Sequence, residues 1–113
     1  MMDKALQQRL SEYIQGICKI YGNDLKSVIL YGSCARGDNR EDSDIDIMIL
    51  VALTEEQIQM SREKVSIFTY NFNMENDMEI MPAVKDIKHF RYWSKVHPFY
   101  QNIQKEGVEL YAS

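Results

Sequence analysis

Ser27-Val28-Ile29-Leu30-Tyr31-Gly32-Ser33, followed ten residues on by Asp44-Ile45-Asp46-Ile47-Met48-Ile49-Leu50-Val51, is the stretch on which the reading of this chain turns. Ser27 to Tyr31 is a short β-branched and aromatic run, bounded by Asn23-Asp24 and by Gly32, and it predicts a buried strand that the glycine ends. Ile45 to Val51 predicts a second strand, in which residues 45, 47, 49 and 51 line one face and residues 44, 46, 48 and 50 the other. Asp44 and Asp46 then project side by side. A glycine at a strand end lets backbone N–H groups approach a phosphate, and the Ser33 hydroxyl adds a donor. Two carboxylates aimed at one point repel unless a divalent cation or another positive charge offsets them.

Outward from this centre the periodicity changes. Leu6, Leu10, Tyr13, Ile14, Ile17 and Tyr21 recur at three- and four-residue steps and predict a first helix with one apolar face, which Gly22 can terminate. Thr54 followed by Glu55, Glu56 and Gln57 has the form of a capping box. It opens a second helix from about Glu55 to Phe72, with Ile58, Val65, Phe68 and Phe72 as its stripe. The polar residues Asn73 to Asp77 break the pattern. Met78 to Val84 predicts a third strand, placed by Pro82 at an edge or a bulge, and two short helices follow at Ile87 to Val96 and Pro98 to Glu106, the latter capped by Gly107. The order helix, strand, strand, helix, strand, helix, helix gives an α/β or α+β domain with helices on at least one face of the sheet.

The bulk properties limit what such a domain can do. The 113 residues suffice for one core and are too few for two, so the expectation is a single domain over 1–113. Thirteen Lys and Arg against seventeen Asp and Glu give a net charge of −4, with no basic stripe, which argues against duplex DNA or long RNA as partner. No stretch approaches the ~18–20 apolar residues of a membrane span, and MMDKALQQRL lacks the apolar segment of a signal peptide, so the expected location is the cytoplasm. Cys18 and Cys34 read as free thiols.

Each candidate residue has a plainer reading beside the functional one. Gly32-Ser33 alone would be an ordinary strand-ending turn; the acids that follow shift the weight to function. Asp46 is an acid within an apolar strand, a placement that is rare without a partner, and metal ligation is favoured. Glu79 has the parity to share a face with Met81. It reads evenly as a third carboxylate beside the pair or as a solvent-facing residue of an edge strand. Arg36 suits a phosphate or an acid of its own loop equally well. His89 and His97 have no second ligand at metal spacing and receive no role. Tyr92, Trp93, Phe99 and Tyr100 read as core or partner-facing aromatics rather than a base-stacking platform.

The segment Val28 to Gly37, with Ser43-Asp44-Ile45-Asp46-Ile47 after it, resembles the signature of the minimal nucleotidyltransferases of the DNA polymerase β superfamily. Phe99-Tyr100-x-Asn102-Ile103-x-Lys105-Glu106-Gly107-Val108-x-Leu110-Tyr111 is similar to that family's C-terminal segment, so the likeness spans nearly the whole chain. It implies a mixed sheet flanked by helices, the nucleotidyltransferase fold. It also implies a nucleoside triphosphate, with ATP as the donor, held at Gly32, Ser33 and Arg36, and Mg²⁺, in a one- or two-metal site, at Asp44 and Asp46. Glu79 stands where the family usually has an aspartate that helps activate the attacking hydroxyl. Many members are antitoxins paired with a HEPN-domain RNase toxin, to which some transfer AMP at a tyrosine. The resemblance therefore implies AMP transfer to a hydroxyl of such a partner protein, in a homo- or hetero-oligomer. Two alternatives stay open: an antitoxin of the same fold that acts by contact alone, and a nucleotidyltransferase for a small molecule of aminoglycoside type.

Overall fold

The computed structural model describes residues 4–32, 35 and 44–113. Its elements run α1 (Lys4–Tyr21), a 3-10 turn (Gly22–Asp24), β1 (Leu25–Tyr31), β2 (Ile45–Val51), α2 (Glu55–Asn76), β3 (Ile80–Asp86), α3 (Ile87–Trp93), α4 (Pro98–Glu106) and β4 (Val108–Ala112). The strands form one mixed sheet in the order β3-β2-β1-β4. β1 pairs antiparallel with β2 and with β4, while β2 and β3 run parallel, joined by the α2 crossover. This is the α+β arrangement of a helix-flanked mixed sheet that the sequence predicts.

The alternation along the strands divides the sheet into two unequal faces. Ile45, Ile47, Ile49 and Val51 join Val28 and Leu30 under the buried stripes of α1 (Leu10, Tyr13, Ile14, Ile17) and α2 (Ile58, Val65, Phe72). On the opposite face Ile29, Met48 and Leu50 meet Phe90 of α3 and Ile103 of α4 in a smaller cluster. The Tyr13 ring lies 5.3 Å from both Phe68 and Phe72, and its hydroxyl shares a 2.7 Å hydrogen bond with Thr69. Burial pushes that phenol up to about 12.

The Thr54 capping box forms as expected, its side chain accepting from the Gln57 N–H while Gln57 accepts from the Thr54 N–H. Several boundaries and one element differ from the sequence expectation. α2 continues to Asn76 because Asn73 remains helical and turns its amide to the backbone of Ile80, donating at 3.1 Å and accepting at 2.9 Å. That side chain substitutes for a strand neighbour, so β3 begins at Ile80 rather than Met78, and Glu79 stands just before the strand. α3 stops at Trp93, short of Val96, since Pro98 forces His97 into an extended conformation. β4 follows α4 without any expected counterpart. It is only five residues long and largely exposed, which leaves little periodic signal, and it is held by β1 and by the Ser27 hydroxyl donating to the Glu109 carboxylate at 2.7 Å.

Gly107 makes this return to the sheet sterically feasible. A Cβ there would come 2.4 Å from the Ile103 carbonyl oxygen and 2.5 Å from Ile29 Cγ2. Gly107→Ala is expected to lower stability by about 1–3 kcal/mol, read as a lower urea midpoint at unchanged slope. An unaltered midpoint would mean that α4 and β4 do not pack on β1 as described.

Candidate active site

The candidate residues gather where β1 ends and where β2 and β3 begin. Antiparallel pairing sets Tyr31 opposite Asp46, and parallel pairing sets Met81 beside Asp46 on the other side. The row Tyr31, Asp46, Met81 therefore crosses three strands on the face that carries the smaller core. Asp44, exposed, lies two residues before Asp46 on the same face. The Ile45 N–H donates to the Glu79 carbonyl at 2.8 Å, and this backbone bond holds Glu79 alongside the start of β2.

Gly32 and Asp46 meet closely. Gly32 has φ +75°, a left-handed conformation costly for any residue with a side chain, and a Cβ on it would lie 2.5 Å from Asp46 Oδ2. The glycine that ends β1 thus serves two ends: it turns the chain into the segment carrying Ser33, and it leaves room for a carboxylate on the neighbouring strand.

The electrostatics follow from that crowding. The Asp46 carboxyl is raised above the ordinary value of 3.8, first by partial burial and then by the charge of Asp44. Its surroundings thus disfavour its own negative charge. Tyr31 is raised as well, by burial, by the Asp46 charge and by Tyr100. Its ring meets Phe99 edge to face at 6.1 Å. Tyr31 thus stands beside Asp46. As the residue just before Gly32 it reads from sequence only as part of a buried strand, and the β1–β2 register is the signal that would have shown its position.

Of the sequence candidates, the structure brings together Gly32, Asp44 and Asp46. Glu79, just before β3, lies alongside the start of β2, yet among the described residues no three His, Cys, Asp or Glu side chains converge into a metal-holding group. Ser33 and Arg36, with Cys34, lie outside the described residues. Cys18, on α1, is a free thiol. His97 caps α4, its ring accepting from the Phe99 N–H at 3.2 Å. Phe99, exposed, meets Tyr31 beside Asp46; Tyr92 and Trp93 are exposed on α3, and Tyr100 packs edge to face on buried Phe90. No described helix is long and apolar enough to cross a membrane. The donor set fits a hard divalent cation: two carboxylates on one strand face whose mutual repulsion a cation such as Mg²⁺ would relieve.

Comparison with known proteins gives this arrangement a context. The family model described as polymerase β, nucleotidyltransferase matches residues 12–113. A Methanocaldococcus jannaschii protein named "Putative protein adenylyltransferase MJ0141" is 31% identical over 103 residues, covering 89% of this chain and 94% of its own. Among solved structures, a toxin–antitoxin complex with AMP-PNP superposes with a TM-score of 0.61 at 20% identity, over 95% of this chain and 73% of the matched one. A "putative minimal nucleotidyltransferase" superposes with a TM-score of 0.58 at 17% identity, over 95% of each chain. At those identities the structures speak for the fold.

Two substitutions test the geometry. Gly32→Ala is expected to cost about 1–2 kcal/mol for the left-handed backbone alone, and more as its Cβ displaces the Asp46 carboxylate; an unaltered urea midpoint would refute the close approach. Because the folded-state value of Asp46 is raised, the folded protein resists its ionisation, and stability is lost as pH rises from 3.8 through that higher value. Asp46→Asn removes the loss. In EDTA at neutral pH the variant should melt above the wild type, and the gap should close as pH falls below the usual aspartate range.

Proposed function

Because the chain belongs to the polymerase β-type nucleotidyltransferase family, we propose that it transfers AMP from ATP to a hydroxyl of a partner protein, and that this partner is a HEPN-domain toxin which it restrains as antitoxin. The observation that carries the reading is the meeting of Gly32 and Asp46 at the sheet end, with Asp44 beside them. The relative of similar length named for protein adenylyltransfer supports AMP and a protein acceptor. The fold likeness to a toxin–antitoxin complex holding AMP-PNP supports the nucleotide and the pairing.

In this reading the backbone at Gly32, with Ser33 and Arg36, holds the triphosphate. Asp44 and Asp46 would hold Mg²⁺, and Glu79, just before β3, is the third acid. Mg²⁺ when bound supplies neutralisation of the charge that builds on the phosphoryl oxygens, in a one- or two-ion arrangement. The acceptor oxygen attacks the α-phosphorus, forming a new P–O bond as the bond to the β-phosphate bridging oxygen breaks. Pyrophosphate leaves, and the hydroxyl proton passes to the Glu79 carboxylate. Met81 and Tyr31 flank Asp46 on the two neighbouring strands. Phe99, exposed and in contact with Tyr31, suits a protein surface better than an anionic polymer, given the chain's negative charge.

A second reading, neutralisation by contact without transfer, draws support from one feature: the acids form a pair with Glu79 alongside rather than a three-carboxylate group. Intact mass spectrometry separates the two. After incubation with ATP and Mg²⁺, the protein encoded beside this one should gain whole AMP units, and the gain should vanish with Asp44→Asn/Asp46→Asn. No gain from a pair that still forms a stable complex would assign the chain to contact inhibition.

A further inference from the structure

α3 and α4 do not close over the whole of the sheet face they cover. Between them, above the ends of β1 and β2 that lie away from the acids, is a cavity of about 290 Å³. Its floor is the smaller core: Ile29 of β1, Leu50 of β2, Phe90 of α3 and Ile103 of α4, all buried. Ser27, the cross-strand partner of Leu50, borders it as well. Leu50 follows Asp46 by four residues on β2, so the cavity and the acids stand about 13 Å apart along one sheet face.

Polar groups reach this space from three elements. Arg91 comes from α3, one residue after Phe90, Gln104 from α4, one residue after Ile103, and Glu109 from β4. Opposite charges therefore border one small volume, and no ion pair joins Arg91 to Glu109 across it. The Glu109 carboxylate is fixed from beneath: the buried Ser27 hydroxyl donates to its Oε2 at 2.7 Å, which leaves Oε1 to a further donor.

We propose that the cavity is a binding site for a small zwitterion with an apolar body, a free α-amino acid with an aliphatic side chain. Its carboxylate meets the planar fork of the Arg91 guanidinium. Its ammonium donates to Glu109 Oε1 and to the Gln104 amide oxygen, and its side chain rests on Ile29, Leu50, Phe90 and Ile103. Charge selects this class of ligand. A purely apolar occupant would take water from both charges and return nothing, and an occupant with one charge would leave the other protein charge unpaired. Size limits it further, since the volume stands at the lower end of ligand pockets, about 300 Å³. The site does not rest on the transfer proposed above and leaves the acid pair open.

Amide NMR titration of the whole chain with L-leucine tests this. The resonances of Ile29, Phe90, Arg91, Ile103 and Glu109 should shift and saturate together, with a dissociation constant on the order of 1 mM, as suits a ligand of so few atoms. Isopentylamine, which is leucine without its carboxylate, and 4-methylpentanoate, which is leucine without its ammonium, should each bind at least about tenfold more weakly. Arg91→Gln and Glu109→Gln, both at exposed positions, should keep the wild-type circular dichroism and lose leucine binding to a similar degree. Lys105→Gln, an exposed charge on α4 that does not border the cavity, should bind as the wild type does. Absence of saturable shifts at these residues overturns the proposal. So do equal affinity for the two singly charged analogues, indifference to Arg91→Gln and Glu109→Gln, or shifts centred on Asp44 and Asp46 instead.

Discussion

The register between β1 and β2 is the constraint on which the remainder of the molecule depends. With Tyr31 opposite Asp46, every odd residue of β2 from Ile45 to Val51 enters the larger core, and every even residue faces α3 and α4 or the strand ends. A slip of one residue would drive both aspartates beneath α1 and α2, where an unpaired carboxylate is prohibitively costly, and would turn the isoleucines outward. The hydrophobic face and the charged site are thus fixed by one and the same pairing. The core thus enforces which face carries the site, since any odd slip of register would violate both.

That pairing also explains why the site sits in tension with its own environment. Asp46 is held beside Asp44, against the backbone of Gly32 and close to Tyr31, in a position that raises the energy of its ionised form. Folding cannot relax the strain by turning the side chain away, because its direction is set by the strand. A site that disfavours its own charge in the free protein is one in which a cation or a cationic partner gains the most. The structure stores an electrostatic cost at the sheet end, and the two cores on either face of the sheet offset it.

The two faces divide the labour further. α1 and α2 build the large core, while α3, α4 and β4 form a thinner layer on which Tyr92, Trp93 and Phe99 are exposed. Protein surfaces near a reacting group need such accessible, low-entropy contact area, and tyrosine, tryptophan and phenylalanine provide it. The outer face of α2, where Met60, Ile67, Tyr70 and Met74 are exposed, belongs to the helix that covers the sheet face opposite Asp46.

How much of this was legible beforehand depended on the range of the forces involved. Local rules sufficed for the Thr54 cap, the side-by-side projection of Asp44 and Asp46, the α1 stripe and the break at Gly32, because capping, alternation and backbone sterics act over a few residues. The ends of α2 and β3 were misjudged since Asn73 looks like a loop residue until its amide finds the backbone of Ile80, seven residues on. β4 escaped notice because a short exposed strand owes its existence to a partner some eighty residues earlier, and Gly107 looked like a simple cap when its small size serves contact with Ile29. The sequence by itself determined the element types, the shared face of the two aspartates and the family resemblance. Only tertiary structure decided the strand order, the place of Tyr31 and Met81 on either side of Asp46, the distance of Gly32 from its carboxylate and the second face of α2, because each of these arises from segments far apart in the chain, whose meeting is set by global packing rather than by any local preference.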